Sequence, residues 1–159
     1  MKIFPSGMVI AVDTREQRPF LFAGYPCETR RGTLRTADYS LAGHENEVCI
    51  ERKELDDIVA CCMGERERFK AELDRMAAFK AAAIVVESPL AAIRRGRYHS
   101  QINPASVEQS LLSFSFKHRI PIYFGQSRLH AENIAFNALR HYYNHTVEPK
   151  FKIGYVPFQ

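Results

Sequence analysis

Long apolar runs are missing from this chain of 159 residues. Its longest stretches of that kind, such as Ala81–Val86, fall far short of the ~20 residues a bilayer-spanning helix needs. The N-terminal MKIFPSGMV lacks the apolar segment and cleavage site of a secretory signal, so a soluble intracellular protein is expected. Cysteine is scarce: Cys27, Cys49, Cys61 and Cys62 contain no CxxC pair, and the adjacent Cys61 and Cys62 cannot easily aim both sulfurs at one metal. Buried free thiols are expected, with no disulfide and no zinc. His141 and His145 are four apart near the end of a predicted helix but lack a third ligand at sensible spacing, which favours an exposed or partly packed pair. No internal repeat or low-complexity segment occurs. Charge bias is small: a net +4 and a pI near 8.9 permit nucleic-acid binding without requiring it.

What the chain does have is enough apolar residue, 46%, to bury a core of ordinary size. One domain is expected over 1–159, with its core at about 8–145 and a tail at 146–159. The most informative stretch is VCIERKELDDI, from Val48 to Ile58. In a strand, positions two apart share a face, so Glu51 and Lys53 project together while Arg52 points away. A carboxylate beside an amine suits metal-assisted hydrolysis of a phosphate ester: the first can hold a hard cation through oxygen, the second can orient water and offset phosphate charge.

Two further acidic clusters lie upstream. Val9 to Val12 reads as a buried strand that ends at Asp13, with Glu16 shortly behind. Segments 38–42 and 47–53, joined by a Gly43-His44-Glu45-Asn46 turn, read as a hairpin that brings Asp38 next to Glu51. Three acids and a lysine then converge on one sheet edge. Helices are predicted over 54–62, 65–79, 106–117 and 127–143, and strands over 82–87 and 120–124. Phe69, Leu73 and Met76 face inward on the second helix, Val107, Leu111 and Phe114 on the third, and Leu129, Ile134, Ala138 and Leu139 mark the fourth. This order fits an α/β domain with a mixed sheet. The tail, with Pro149, Gly154 and Pro157 among Phe151, Tyr155 and Phe158, reads as an ordered strap or a partner-docking strand.

Asp13-Thr-Arg-Glu16, Asp38-Tyr39-Ser-Leu, Glu51-Arg52-Lys53 with Asp57 beyond it, and Gly64-Glu-Arg66-Glu-Arg68-Phe69 stand in the order of a known motif series. The chain resembles the XPF/MUS-type nuclease domain of the PD-(D/E)XK superfamily from about Val9 to the early 140s, most of all its small stand-alone microbial and phage members. The resemblance implies a restriction-endonuclease-like fold, a central mixed sheet flanked by helices. It implies a phosphodiester-cleaving DNA endonuclease, structure-specific for flap, fork or branched duplex, in repair or recombination, in the cytoplasm of a bacterial or phage-infected cell. Asp13, Asp38 and Glu51 would ligate Mg²⁺ or Mn²⁺, with Glu16 near the metal, Lys53 placing the water, and Arg52 or Asp57 in support.

The family pattern has Gly where this chain has Ala37. If that position needs a positive φ, Ala37 is strained by about 1 kcal/mol; if it only needs close packing, alanine fits. DNA contact is expected from Arg15, from Arg66 and Arg68, and from Arg94, Arg95, Arg97 and Tyr98 in a polar segment beside the sheet. Helix-surface pairing, such as Arg68 with Glu72, and a solvated helix end are the plainer readings of these residues. The family commonly pairs nuclease domains, so a homodimer or a partner protein supplying substrate choice is implied. Two rivals stand beside the nuclease: a catalytically silent DNA-binding module of the same fold, and a scaffold in which the acids and Lys53 are structural ion pairs.

Overall fold

A computed structural model describes residues 7–147. The strands are β1 (Val9–Asp13), β2 (Glu28–Gly32), β3 (Tyr39–Leu41), β4 (Val48–Lys53), β5 (Ala81–Val86) and β6 (Ile122–Phe124). The helices are α1 (Leu55–Ala60), α2 (Arg66–Ala77), α3 (Leu90–Arg94), α4 (Pro104–His118) and α5 (Arg128–Tyr142), the last running into a π-helical turn at Tyr143–Val147. The strands form one sheet in the order β2-β1-β3-β4-β5-β6. Pairing is antiparallel where β3 meets β1 and β4, and parallel elsewhere, so the sheet is mixed as expected.

Side-chain alternation sorts the sheet into two faces, each with its own core. Val48 and Ile50 of β4, with Ala83 and Val85 of β5, pack beneath α5 through Ala135, Phe136 and Leu139. Cys49, Ile84 and Val86 point the other way and pack with Phe69 and Leu73 of α2 and Val107 and Phe114 of α4. The period of two therefore carries Glu51 and Lys53 to the α2 side and Arg52 to the α5 side.

Helix ends follow local chemistry. Asn103 accepts a hydrogen bond from the Ala105 amide, and Pro104 opens α4 with a residue that has no N–H to satisfy. The Ser127 hydroxyl accepts from the His130 amide to open α5. Just before it, a Cβ on Gly125 would stand 2.7 Å from the Ala131 amide nitrogen, so only glycine lets β6 turn so tightly into α5.

Three expectations change. Leu129 is 60% exposed; the inward row of α5 is Ala131, Ala135, Phe136 and Leu139, with Ile134 and Ala138 only partly buried beside it. β2 was not anticipated, because ETRRG has no apolar alternation and is held at the sheet edge by parallel pairing with β1. The segment after β5 forms the short α3 before the polar stretch begins. Cys49, Cys61 and Cys62 are buried thiols, and Cys27 is half-buried. The tail reading at 148–158 lies outside the described residues.

Candidate functional site

Backbone pairing gathers the acids. The Asp13 amide, ending β1, donates to the Asp38 carbonyl at 2.8 Å, and the Asp38 amide donates to the Ile50 carbonyl at 3.1 Å, so the three strand ends carrying Asp13, Asp38 and Glu51 lie side by side. Asp13 accepts from Arg15 Nε at 2.8 Å and from the Leu34 amide at 3.1 Å. Asp38 accepts from the Arg52 amide at 2.8 Å. Lys53 Nζ donates to Glu51 Oε1 at 2.7 Å, lies 3.5 Å from Glu72 Oε2, and sits 5.7 Å from the centre of the Phe69 ring. Asp13, Asp38, Glu51, Lys53 and Asp57 all line one cavity of about 580 Å³ between the sheet and α2.

Burial disfavours the charged forms of two of the acids in this cavity. Burial pushes the Asp38 carboxyl up to about 6, with neighbouring Glu16 adding to the rise, against the Arg52 amide that favours its charge. Glu51 is held well above 4.5, first by burial and then by Asp38. Burial opposes the charge on Lys53, but Glu51 and Glu72 outweigh it and keep the ammonium protonated. A hard divalent cation relieves such an arrangement, and an all-oxygen donor set of Asp13, Asp38 and Glu51 fits Mg²⁺ or Mn²⁺ in kind. Among the described residues no three such side chains are already gathered as a cage. Lys53 engages only Oε1 of Glu51, whereas both oxygens of Asp13 accept hydrogen bonds, from Arg15 and from the Leu34 amide.

Arg52 takes the opposite face. Its guanidinium, with the side chain only 8% exposed, donates to Glu16 through Nε and Nη2 at 2.9 Å each, and lies 3.3 Å from Glu54 and 3.1 Å from Glu87. Glu87 also binds Arg128, and Glu54 also binds Arg18 at 2.8 Å. Burial pushes Glu16 upward, but Arg52 and the Arg18 amide outweigh it and hold the carboxyl below 4.5. Glu16 and Arg52 therefore do not line the cavity, because Glu16 reaches across to the strand face that alternation denies to Glu51.

The expected DNA contacts divide in the same way. Arg15 and Arg68 stand at the cavity. Arg66 does not: its guanidinium lies 4.6 Å from the centre of the Phe114 ring and donates to Ser110 at 3.1 Å, bracing α2 against α4. Arg94 is held by both oxygens of Glu108, and the Tyr98 hydroxyl donates to the Ile102 carbonyl at 2.8 Å. These two, with exposed Arg95 and Arg97, lie away from the cavity. Glu72, Arg35 and Arg75 also line it and lie outside every motif; for Glu72 the one available signal is its place one helical turn after inward-facing Phe69. Ala37 lines the cavity with φ +65°, so the backbone there takes the left-handed form that the family's glycine suits.

The family model of the ERCC4 domain matches residues 12–137. The chain belongs to the ERCC4 domain family. Its ERCC4 domain also superposes on the solved structure of XPF from Aeropyrum pernix at 16% identity, with a TM-score of 0.69 over 89% of this chain and 68% of that one. XPF from Aeropyrum pernix in complex with DNA matches at 18% identity and a TM-score of 0.68, over 92% and 68% of the two chains. At such identity the likeness shows the fold, the helix-flanked mixed sheet of the restriction-endonuclease-like class. Among curated proteins none matches.

Proposed function

We propose that this ERCC4 domain is a metal-dependent DNA endonuclease that hydrolyses phosphodiester bonds in flap, fork or branched duplex during repair or recombination. The observation that carries the reading is the meeting of Asp13, Asp38, Glu51 and Lys53 in one cavity where both Asp38 and Glu51 resist ionisation. Membership of the family and the fold shared with a DNA-bound XPF support it. Asp13, Asp38 and Glu51 would hold Mg²⁺ or Mn²⁺, which supplies Lewis-acid charge beside the scissile phosphate and makes water more acidic. Lys53, kept protonated, presents a fixed positive charge to the phosphate oxygens and a donor that aligns the attacking water. Glu72 and the Phe69 ring hold that ammonium from the α2 side. Asp57, at the start of α1, adds a carboxylate to the wall. Glu16 and Arg52 act as positioning residues, fixing β4 from behind so that Glu51 and Lys53 face the cavity.

The test is incubation of the protein with labelled duplex, single-stranded, flap and fork DNAs in Mg²⁺, Mn²⁺ or EDTA, beside Asp38→Ala and Lys53→Ala. Cutting that needs metal and disappears in both variants is expected. Tight binding without cutting, unchanged by Asp38→Ala, would instead identify a catalytically silent DNA-binding module.

A further inference from the structure

We propose that Arg35 and Arg75 form a phosphate clamp at the mouth of the cavity, gripping the sugar-phosphate backbone beside the bond to be cut; the proposal rests on the nuclease reading above. Both side chains are exposed and both line the cavity. They come from different walls, Arg35 from the connection between β2 and β3 and Arg75 from the last turn of α2.

The other cations there are already engaged: Arg15 with Asp13, Lys53 with Glu51, and Arg68 with Glu65. Among the described residues, Arg35 and Arg75 form no ion pair and no side-chain hydrogen bond, so their guanidinium groups are available to an incoming ligand. Carboxyl groups of Asp13, Asp38, Glu51 and Asp57 share the cavity, and an approaching nucleic acid needs positive charge that cations already engaged with carboxylates supply poorly. The helix dipole accounts for a cation in the last turn of α2, but not for a second free guanidinium on the facing loop. The planar fork of arginine matches two oxygens of one phosphate, which favours a phosphodiester backbone over a single carboxylate ligand. Two such grips from two walls suit a strand that passes through the cleft, and hence cutting at an internal linkage.

The experiment measures the affinity of the intact protein for a labelled fork duplex across a salt series in EDTA, so that no strand is cut during titration. Each phosphate contact contributes about 0.9 to the slope of log K against log salt for duplex, or about 0.7 for single strands. Arg35→Ala and Arg75→Ala are each expected to weaken binding and flatten the slope by that amount, and the double variant by about twice as much. Arg95→Ala, which removes an exposed charge away from the cavity, serves as the comparison. A wild-type slope that both arginine variants preserve would overturn the clamp and leave the nuclease reading intact. An equal loss from Arg95→Ala would point to a diffuse surface field and also overturn it. If the wild-type protein neither binds nor cuts DNA, the functional reading itself fails and the clamp with it.

Discussion

Replacing Arg52 with methionine keeps much of the side chain's bulk and removes the cation shared by Glu16, Glu54 and Glu87. The three carboxylates do not suffer equally. Glu54 keeps Arg18 and is more than a third exposed, and Glu87 keeps Arg128. Glu16 is left with the Arg18 amide at 2.9 Å, and its side chain is only 6% exposed. Stranding one partner of a buried pair costs about 3–5 kcal/mol, a large share of the ~5–15 kcal/mol that separates folded from unfolded domains. With a urea dependence of about 2 kcal/mol per molar, the unfolding midpoint should fall by about 2 M, read by circular dichroism. Adding Glu16→Met should recover part of the loss, since it removes the charge left unpaired. The folded-state value for Glu16 lies below 4.5, so its contribution is full above that pH and fades as pH falls through the folded value. The Arg52→Met penalty should shrink over that acid range. A penalty under about 1 kcal/mol at neutral pH, the range of exposed ion pairs, would refute the assignment of Arg52 as the buried brace of β4.

Ala37→Gly relieves a residue held at φ +65° at the expense of a freer unfolded chain, and a net gain of roughly 0.5–1 kcal/mol is expected in thermal melts; a loss would mean that the methyl group's packing dominates. Asp38 titrates near 6 in the folded protein, above its ordinary 3.8, so without metal this site becomes less stabilising as pH rises through 6. Mg²⁺ or Mn²⁺ must displace that proton, so the rise in melting temperature on adding metal should be larger at pH 8 than at pH 5, and equal rises would exclude Asp38 as a ligand. Glu72→Gln should slow cutting roughly 10-fold or more by loosening Lys53, with the half-saturating metal concentration unchanged. A shift in metal requirement with an unchanged rate would place Glu72 among the ligands instead.

Much of the cavity was legible because strand alternation is a strong rule. Tyr39 pairing with Ile50 and the parity of Glu51 and Lys53 follow from the apolar pattern of Val48-Cys49-Ile50 and the turn before it. The pairing of Glu16 with Arg52 was not legible, because the two stand 36 positions apart and meet only when β1 and β4 lie in one sheet. Glu72 and Glu87 carried no motif, and their importance arises only when α2 and β5 pack against β4. β2 was illegible for a different reason: its place rests on main-chain bonds to β1, which an exposed ETRRG sequence does not announce. The arginines after β5 formed a conspicuous basic cluster, but charge density along a chain says little about whether Glu108 waits across the next helix.

Because Glu51, Arg52 and Lys53 alternate between a cavity and a nest of carboxylates, this stretch is intolerant of changes in length. One residue inserted within β4 ahead of Glu51 would turn a guanidinium toward the acids of the cavity and drive a carboxylate and an ammonium into the space Arg52 fills. The turn over 42–47, where Gly43 takes a positive φ beside open space, can absorb such an insertion without reversing the strand. Natural variation in length should therefore accumulate in that turn and stop at Val48.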